Sequence, residues 1–222
     1  MKKFATFIKN KLQDRINQRN RKRLTNSTPT IIASNCTGGF LYHWLGLEFK
    51  SPFINLYMTP EDFLTAMENF EEFINSPIRE CKNNDYDYPI GIGAYETKIH
   101  FMHYPSFDSA ITSWNRRCKR IDMNNICIIL SNWGGEKTEH LERFENLPFE
   151  NKVVFTDKEF PEYRSAFCLN GYDCKNGHNG NIYATQKITG KRYIDQFDYV
   201  SFFNQMKKGD RLEWLDPQKS LK

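Results

Sequence analysis

The stretches IIASNCTGGF, Ile31 to Phe40, and IILSNWGGE, Ile128 to Glu136, decide how this chain is read. In each, an apolar run ends in Ser-Asn and then meets a glycine pair, as expected of a buried strand that breaks into a loop ahead of a helix. The same alternation continues outward. PFINLYM leads into TPEDFLTAMENFEEFI, where Thr59 is placed as an N-cap, Pro60 at the first helical position and acids in the first turn. YPIGIGAY and TKIHFMHY read as extended, and PSFDSAITSWNRRCKRID as a helix capped by Ser106 or Asp108. NICIILSN is a strand, GGEKTEHLERFENL a helix and NKVVFTD a strand. After Asp157 a loop over Leu169 to Asn181, a hairpin turning at ITGK and a last helix over DQFDYVSFFNQMKKG complete the pattern. Strand-then-helix alternation predicts one α/β domain over residues 30–215: a three-layer α/β/α, Rossmann-like arrangement with a mostly parallel sheet.

The totals of the 222-residue chain agree with a globular core: 39% hydrophobic, 15% aromatic and 26% charged residues. No apolar run has the length of a membrane-spanning helix, and no apolar stretch follows the first lysines as in a secretory leader. Six cysteines without a CxxC pair or metal-finger spacing fit a reduced, cytoplasmic protein, with Cys168 and Cys174 close enough in sequence to bridge in an oxidising compartment. The net charge of +4 is unevenly spread. Residues 1–23 hold nine Lys or Arg against Asp14 alone, which is +8, so the rest of the chain carries −4. That distribution argues against a nucleic-acid binder and for a basic amphipathic helix over residues 1–26, with Phe4, Phe7, Ile8, Leu12 and Ile16 near one face. Such a helix suits either an anionic membrane surface or packing on the domain or on a second subunit.

In an open α/β sheet, ligands bind beyond the carboxyl ends of the strands, so both Ser-Asn segments are candidate site loops. Ser34, Asn35 and Asn132 are candidates to orient a substrate. Gly38 and Gly39, read as permitting positive φ, would expose amides to an oxyanion. Cys36, ahead of a helix, is the candidate nucleophile, its thiol pKa expected to fall there. His103 is the candidate base; His43 and His178 rank behind it, and His140 reads as a solvated helical residue. Arg116, Arg117 and Arg120 lie within about one helical turn and are candidates for phosphate binding, with Arg116 and Arg120 on one face and Arg117 aside; a solvated surface face is the alternative. Asp85 and Asp87 stand as DYD in an Asn-rich loop rather than at a strand end. P-loop, GxGxxG, HExxH and GxSxG motifs do not occur. Neither a metal site nor a tightly bound cofactor is indicated.

SNCTGGFLYHWLGLEFKSPFINLYMTPEDF, YPIGIG, IHFMHYPSFDSAITSWNRRCKRI with NICIIL, and NKVVFT resemble, in that order, the bacterial DUF1919 family, over about residues 30–160 and outside the basic helix. The family pattern near the cysteine is similar to Ser-Asn-Asn-Cys-Trp-Gly-Gly; here it is one residue shorter, with Thr37 in the Trp place. His103 matches a Phe-x-His-Tyr segment, and Trp114, Arg116 and Arg117 a Trp-x-Arg-Arg segment. Members are commonly labelled exopolysaccharide or capsule biosynthesis proteins, so the resemblance implies work on a bacterial surface polysaccharide. The leading expectation is a cytosolic or membrane-peripheral transferase moving an acyl group from acyl-CoA to a sugar or lipid-linked glycan, held at the inner membrane through residues 1–23. A glycosyl- or phosphosugar transferase using a nucleotide sugar and a non-enzymatic assembly scaffold are the alternatives.

Overall fold

The structure is a computed structural model describing residues 2–82, 86–131, 137–172, 182–185 and 189–206. Asn132 and the second glycine pair, Asp85, Cys174 and His178 lie outside the described residues.

Four strands, β1 (Thr30–Ala33), β5 (Ile126–Ser131), β6 (Lys152–Thr156) and β7 (Ala166–Cys168), pair in parallel in the order β1-β5-β6-β7. Period-two alternation of side chains sorts the central strands onto two faces. Ile32, Ile128, Ile126, Leu130 and Val154 enter one core, and Ile31, Ala33, Cys127, Ile129, Val153 and Phe155 the other. Both faces are therefore apolar, as a covered parallel sheet requires. The first face is covered by α3 (Pro60–Glu68), α4 (Phe70–Asn75), α5 (Phe107–Cys118) and α6 (Thr138–Glu145). The second is covered by α2 (Thr37–Leu45), α7 (Tyr199–Met206) and the turn at Tyr193–Gln196. The result is a three-layer α/β/α domain of Rossmann-like kind.

Local chemistry sets the element ends. Thr59 caps α3, its Oγ1 accepting from the Asp62 amide at 3.1 Å with Pro60 at the first position, and Ser106 caps α5 by accepting from the Ser109 amide at 3.3 Å. TPEDFLTAMENFEEFI is not one helix: Asn69 leaves helical dihedrals (φ −122°, ψ 39°) and splits α3 from α4, so that Phe70 and Phe73 turn inward. YPIGIGAY and TKIHFMHY give β3 (Ile90–Ile92) and β4 (Lys98–His100). With β2 (Arg79–Glu80) these form a separate antiparallel sheet rather than joining the parallel one. His140 is also placed differently from the sequence reading. It is buried, with Nε2 3.5 Å from Glu61, because α6 turns that side toward α3.

The basic helix α1 (Lys2–Arg23) is bound to the domain along its second half. Gln13 Nε2 donates to Thr185 Oγ1 at 3.0 Å, Asn20 Nδ2 to the Tyr199 hydroxyl at 2.8 Å, and Arg21 Nε to the Trp44 carbonyl at 2.8 Å. The buried Arg192 forks onto Asp195 at 2.9 and 3.0 Å, donates to Asn17 Oδ1 at 2.8 Å, and lies 3.5 Å from the Trp44 ring centroid. Gly190 makes this approach possible. It has φ +73°, and a Cβ there would stand 2.6 Å from Leu12 Cβ. Gly190→Ala combines overpacking with a left-handed alanine, and an expected loss of roughly 1–3 kcal/mol should appear in chemical denaturation. Amide exchange should show faster opening of α1 than of the sheet; unchanged protection of α1 would contradict the docking.

Candidate functional site

Beyond the carboxyl end of β1 the chain turns directly into α2. Asn35 makes that turn. Its side-chain oxygen accepts from the Thr37 amide at 3.0 Å and its Nδ2 donates to Ser131 Oγ, the last residue of β5. Ser34 is tied in as well, its amide donating to the Ile129 carbonyl at 3.1 Å and its carbonyl accepting from the Met58 amide at 2.8 Å. Both side chains are buried and engaged in holding two strand ends together. Gly38 and Gly39 lie inside the first turn of α2 rather than in a loop, and neither has the positive φ expected of them. Gly38 is there for packing: a Cβ would meet Ala33 Cβ at 3.2 Å, so its absence lets α2 lie close on β1.

This geometry delivers Cys36, the N-cap residue of α2, to a cavity of about 240 Å³. Gly39, Phe40 and His43 of α2 line it together with Phe49, Asn55 and His103. The nucleophile and base candidates thus reach one cavity, and His43, ranked lower from sequence, reaches it too. Among the described residues no hydrogen bond joins the Cys36 thiol to either imidazole; both histidines are exposed at the rim. Among those residues no three His, Cys, Asp or Glu side chains are grouped closely enough to hold a metal ion.

The thiol is not the lowered one expected at a helix start. Only 9% of Cys36 is exposed, and burial pushes its pKa up against the opposing pull of its own backbone amide. The phenol of Tyr183, packed on Phe40 at 4.5 Å between centroids, is raised as well, by burial first and by Cys36 second.

The arginines are divided. Arg116 is exposed. Arg117 is only 8% exposed, its Nη1 donating to the Tyr104 hydroxyl at 2.6 Å and its guanidinium 5.3 Å from the Phe49 centroid. Arg120 pairs with Glu48 at 2.9 Å and donates to the Phe49 carbonyl at 3.1 Å. Arg117, set aside in the sequence reading, and Arg120 therefore converge behind the Phe49 wall of the cavity. The Tyr104 hydroxyl passes the contact on by donating to the Ile54 carbonyl at 3.1 Å. One chain, Arg117 to Tyr104 to Ile54, so fixes the two segments in which the adjoining residues, His103 before Tyr104 and Asn55 after Ile54, line the cavity.

Asn55 escaped the sequence reading. It is exposed within the apolar run PFINLYM and sits at φ +61°, a conformation Asn tolerates better than other side chains. An isolated Asn in an apolar run was the available signal.

Fold and pocket together define an α/β protein with a cysteine–histidine cavity at the strand ends. The chain matches the family model described as a domain of unknown function, DUF1919, over residues 7–204, and belongs to that family. The match runs past the 30–160 window of the resemblance and takes in most of α1 and of α7. A Haemophilus influenzae protein described as uncharacterized is 38% identical over 189 residues, covering 85% of this chain and 90% of the relative.

Two outcomes test the site. A raised thiol keeps its proton in the folded state above the pH, about 8.5, at which an unfolded cysteine loses it. Its contribution to stability is complete below that pH and is lost as pH rises through the folded value. Iodoacetamide labelling of Cys36, located by peptide mass, should be slower at pH 7 than that of free cysteine and still be accelerating above pH 9. A rate already level at pH 7 would mean a lowered thiol. For Asn55, the glycine variant should keep the melting temperature, whereas Asn55→Ala should cost roughly 1–2 kcal/mol through the left-handed backbone; equal losses would place the effect in the side chain instead.

Proposed function

We propose that the chain is an acyltransferase that carries an acyl group as a thioester on Cys36 and passes it to a hydroxyl of a sugar in surface-polysaccharide assembly. The observation that carries this reading is the shared cavity of Cys36 and His103. The family resemblance supports a polysaccharide acceptor, and an acyl-CoA is the donor of matching chemistry. A thioester donor needs no metal and no redox partner. His103 takes the thiol proton as Cys36 sulfur attacks the acyl carbon, and returns it to the departing thiol of the donor. The same imidazole then takes the acceptor hydroxyl proton as that oxygen attacks the Cys36 thioester. Cys36 sulfur leaves and recovers the proton. His43 and Asn55 are placed at the same cavity to hydrogen-bond the acyl oxygen or the acceptor.

Features of the site favour this over a nucleotide-sugar transfer. Arg117 and Arg120, which pack on the Phe49 wall of the cavity, are committed to Tyr104, Phe49 and Glu48 rather than presented to a diphosphate. A volume of about 240 Å³ lies below the usual range for a whole drug-sized ligand, and suits an acyl end whose carrier stays outside.

Intact-mass measurement after incubation with acetyl-CoA and longer acyl-CoA species is the test. Wild type should gain one acyl group, removed by hydroxylamine and absent from Cys36→Ala, while His103→Ala should form it about a hundredfold more slowly. Thermal stabilisation by nucleotide sugars, with no acyl adduct, would transfer the reading to glycosyl transfer. A Cys36→Ala chain that retains full biological activity would leave a scaffold role.

A further inference from the structure

We infer that the outward face of α1 is a binding surface for an anionic phospholipid bilayer. The helix has two sides of different fate. Leu12, Gln13, Ile16, Asn17 and Asn20 are buried or half-buried against the domain. At 100° per residue the opposite side is formed by Phe4, Phe7, Ile8, Lys11, Asp14, Arg15, Gln18 and Lys22, and all of these are exposed. Along this stripe the first two turns are apolar: Phe4 is 69%, Phe7 54% and Ile8 39% exposed, a costly way to display three large hydrophobic side chains without a cover. The rest of the stripe carries Lys11, Arg15 and Lys22 against the single acid Asp14, with Gln18 between them. Lys11 sits 4.7 Å from the Phe7 ring centroid, so charge and apolar surface are contiguous.

That order is what a tilted interfacial helix needs. Aromatic and aliphatic side chains enter the headgroup–acyl boundary at one end, and lysine and arginine follow at phosphate level. Charge selects the occupant. Residues 1–23 hold nine Lys or Arg against Asp14 alone, so a second copy of this face would meet mostly like charge, whereas an anionic leaflet attracts it. No helix among the described residues is long and apolar enough to cross a membrane, so the contact is peripheral. The hydrogen bonds of Gln13, Asn17, Asn20 and Arg21 keep the inner face on the domain while the outer one is occupied. Arg21 Nη2 also donates to the His43 carbonyl at 3.3 Å, which joins the lipid-facing helix to the helix that carries the cavity. The inference rests on α1 alone and stands apart from the chemistry at Cys36.

The full chain should co-sediment with vesicles of phosphatidylglycerol and phosphatidylcholine in equal parts, stay in the supernatant with phosphatidylcholine alone, and be released by high salt. The combined Phe4→Ala, Phe7→Ala and Ile8→Ala variant keeps helix propensity and removes apolar area. It should bind at least about tenfold more weakly with an unchanged melting temperature. Lys11→Glu with Arg15→Glu should lose at least as much. Failure of the wild type to bind the anionic vesicles overturns the inference, as does full binding by the alanine variant. A concentration-dependent dimer in light scattering that the alanine variant abolishes would assign the face to a second copy and overturn it equally.

Discussion

The side chain of Asn35 is the constraint from which the site follows. It accepts from the Thr37 amide and donates to Ser131, so one residue ends β1, starts α2 and ties both to the end of β5. Each of those groups is buried, and an unpaired buried amide or hydroxyl costs on the order of 1–3 kcal/mol. The turn has little freedom left. Gly38 lets α2 settle on Ala33, and Cys36, two positions upstream, is thereby presented at the cavity. The Ser-Asn and Gly-Gly residues that looked like ligand-binding groups are instead mostly the joinery that aims the cysteine.

Two buried cations repeat the device at larger scale. Arg117 steadies the far wall through Tyr104 and Phe49, and Arg192 steadies the near side through Asp195, Asn17 and Trp44. Planar guanidinium groups suit this work because they can fork onto a carboxylate and lie on an aromatic ring at the same time. Arg192 also links α1 to α2, through Asn17 on one and Trp44 on the other. The basic helix is therefore part of the body that shapes the cavity, in keeping with a family match that begins at residue 7.

The parallel sheet was readable because IIA, ICIIL and VVF are apolar on both faces and end in polar residues, which only a covered strand does. The pairing of Cys36 with His103 was readable only as a possibility of topology, since β4 and its turn belong to a different sheet from β1. Three things were not legible. The break at Asn69 is a tertiary effect, imposed so that Phe70 and Phe73 can both face inward. The conformation of the glycine pair depends on how closely α2 approaches β1, a distance no local pattern carries. The fate of Arg117 depends on Tyr104 and Phe49, thirteen and sixty-eight positions away, so charge spacing along α5 suggested a phosphate site where packing made a buttress.

The raised thiol gives the proposed acyl transfer a physical logic that a lowered one would not. A thiolate stabilised at rest is a better leaving group but a weaker intrinsic nucleophile, because nucleophilicity falls as the thiol pKa falls. Cys36 is held the other way, as a neutral thiol whose burial makes its anion reactive once formed. Forming that anion then requires a base at the cavity, and the rim supplies two imidazoles, His43 and His103. In the proposed transfer, nucleophile activation is tied to occupancy. An acyl donor that closes the open side of the cavity displaces water from the thiol and the imidazole together, strengthening their mutual electrostatics where the reaction occurs. In this scheme the buried, protonated cysteine is the resting state that an acyl donor converts, and its quiet chemistry without donor is a consequence of the same packing that Asn35 and Gly38 impose.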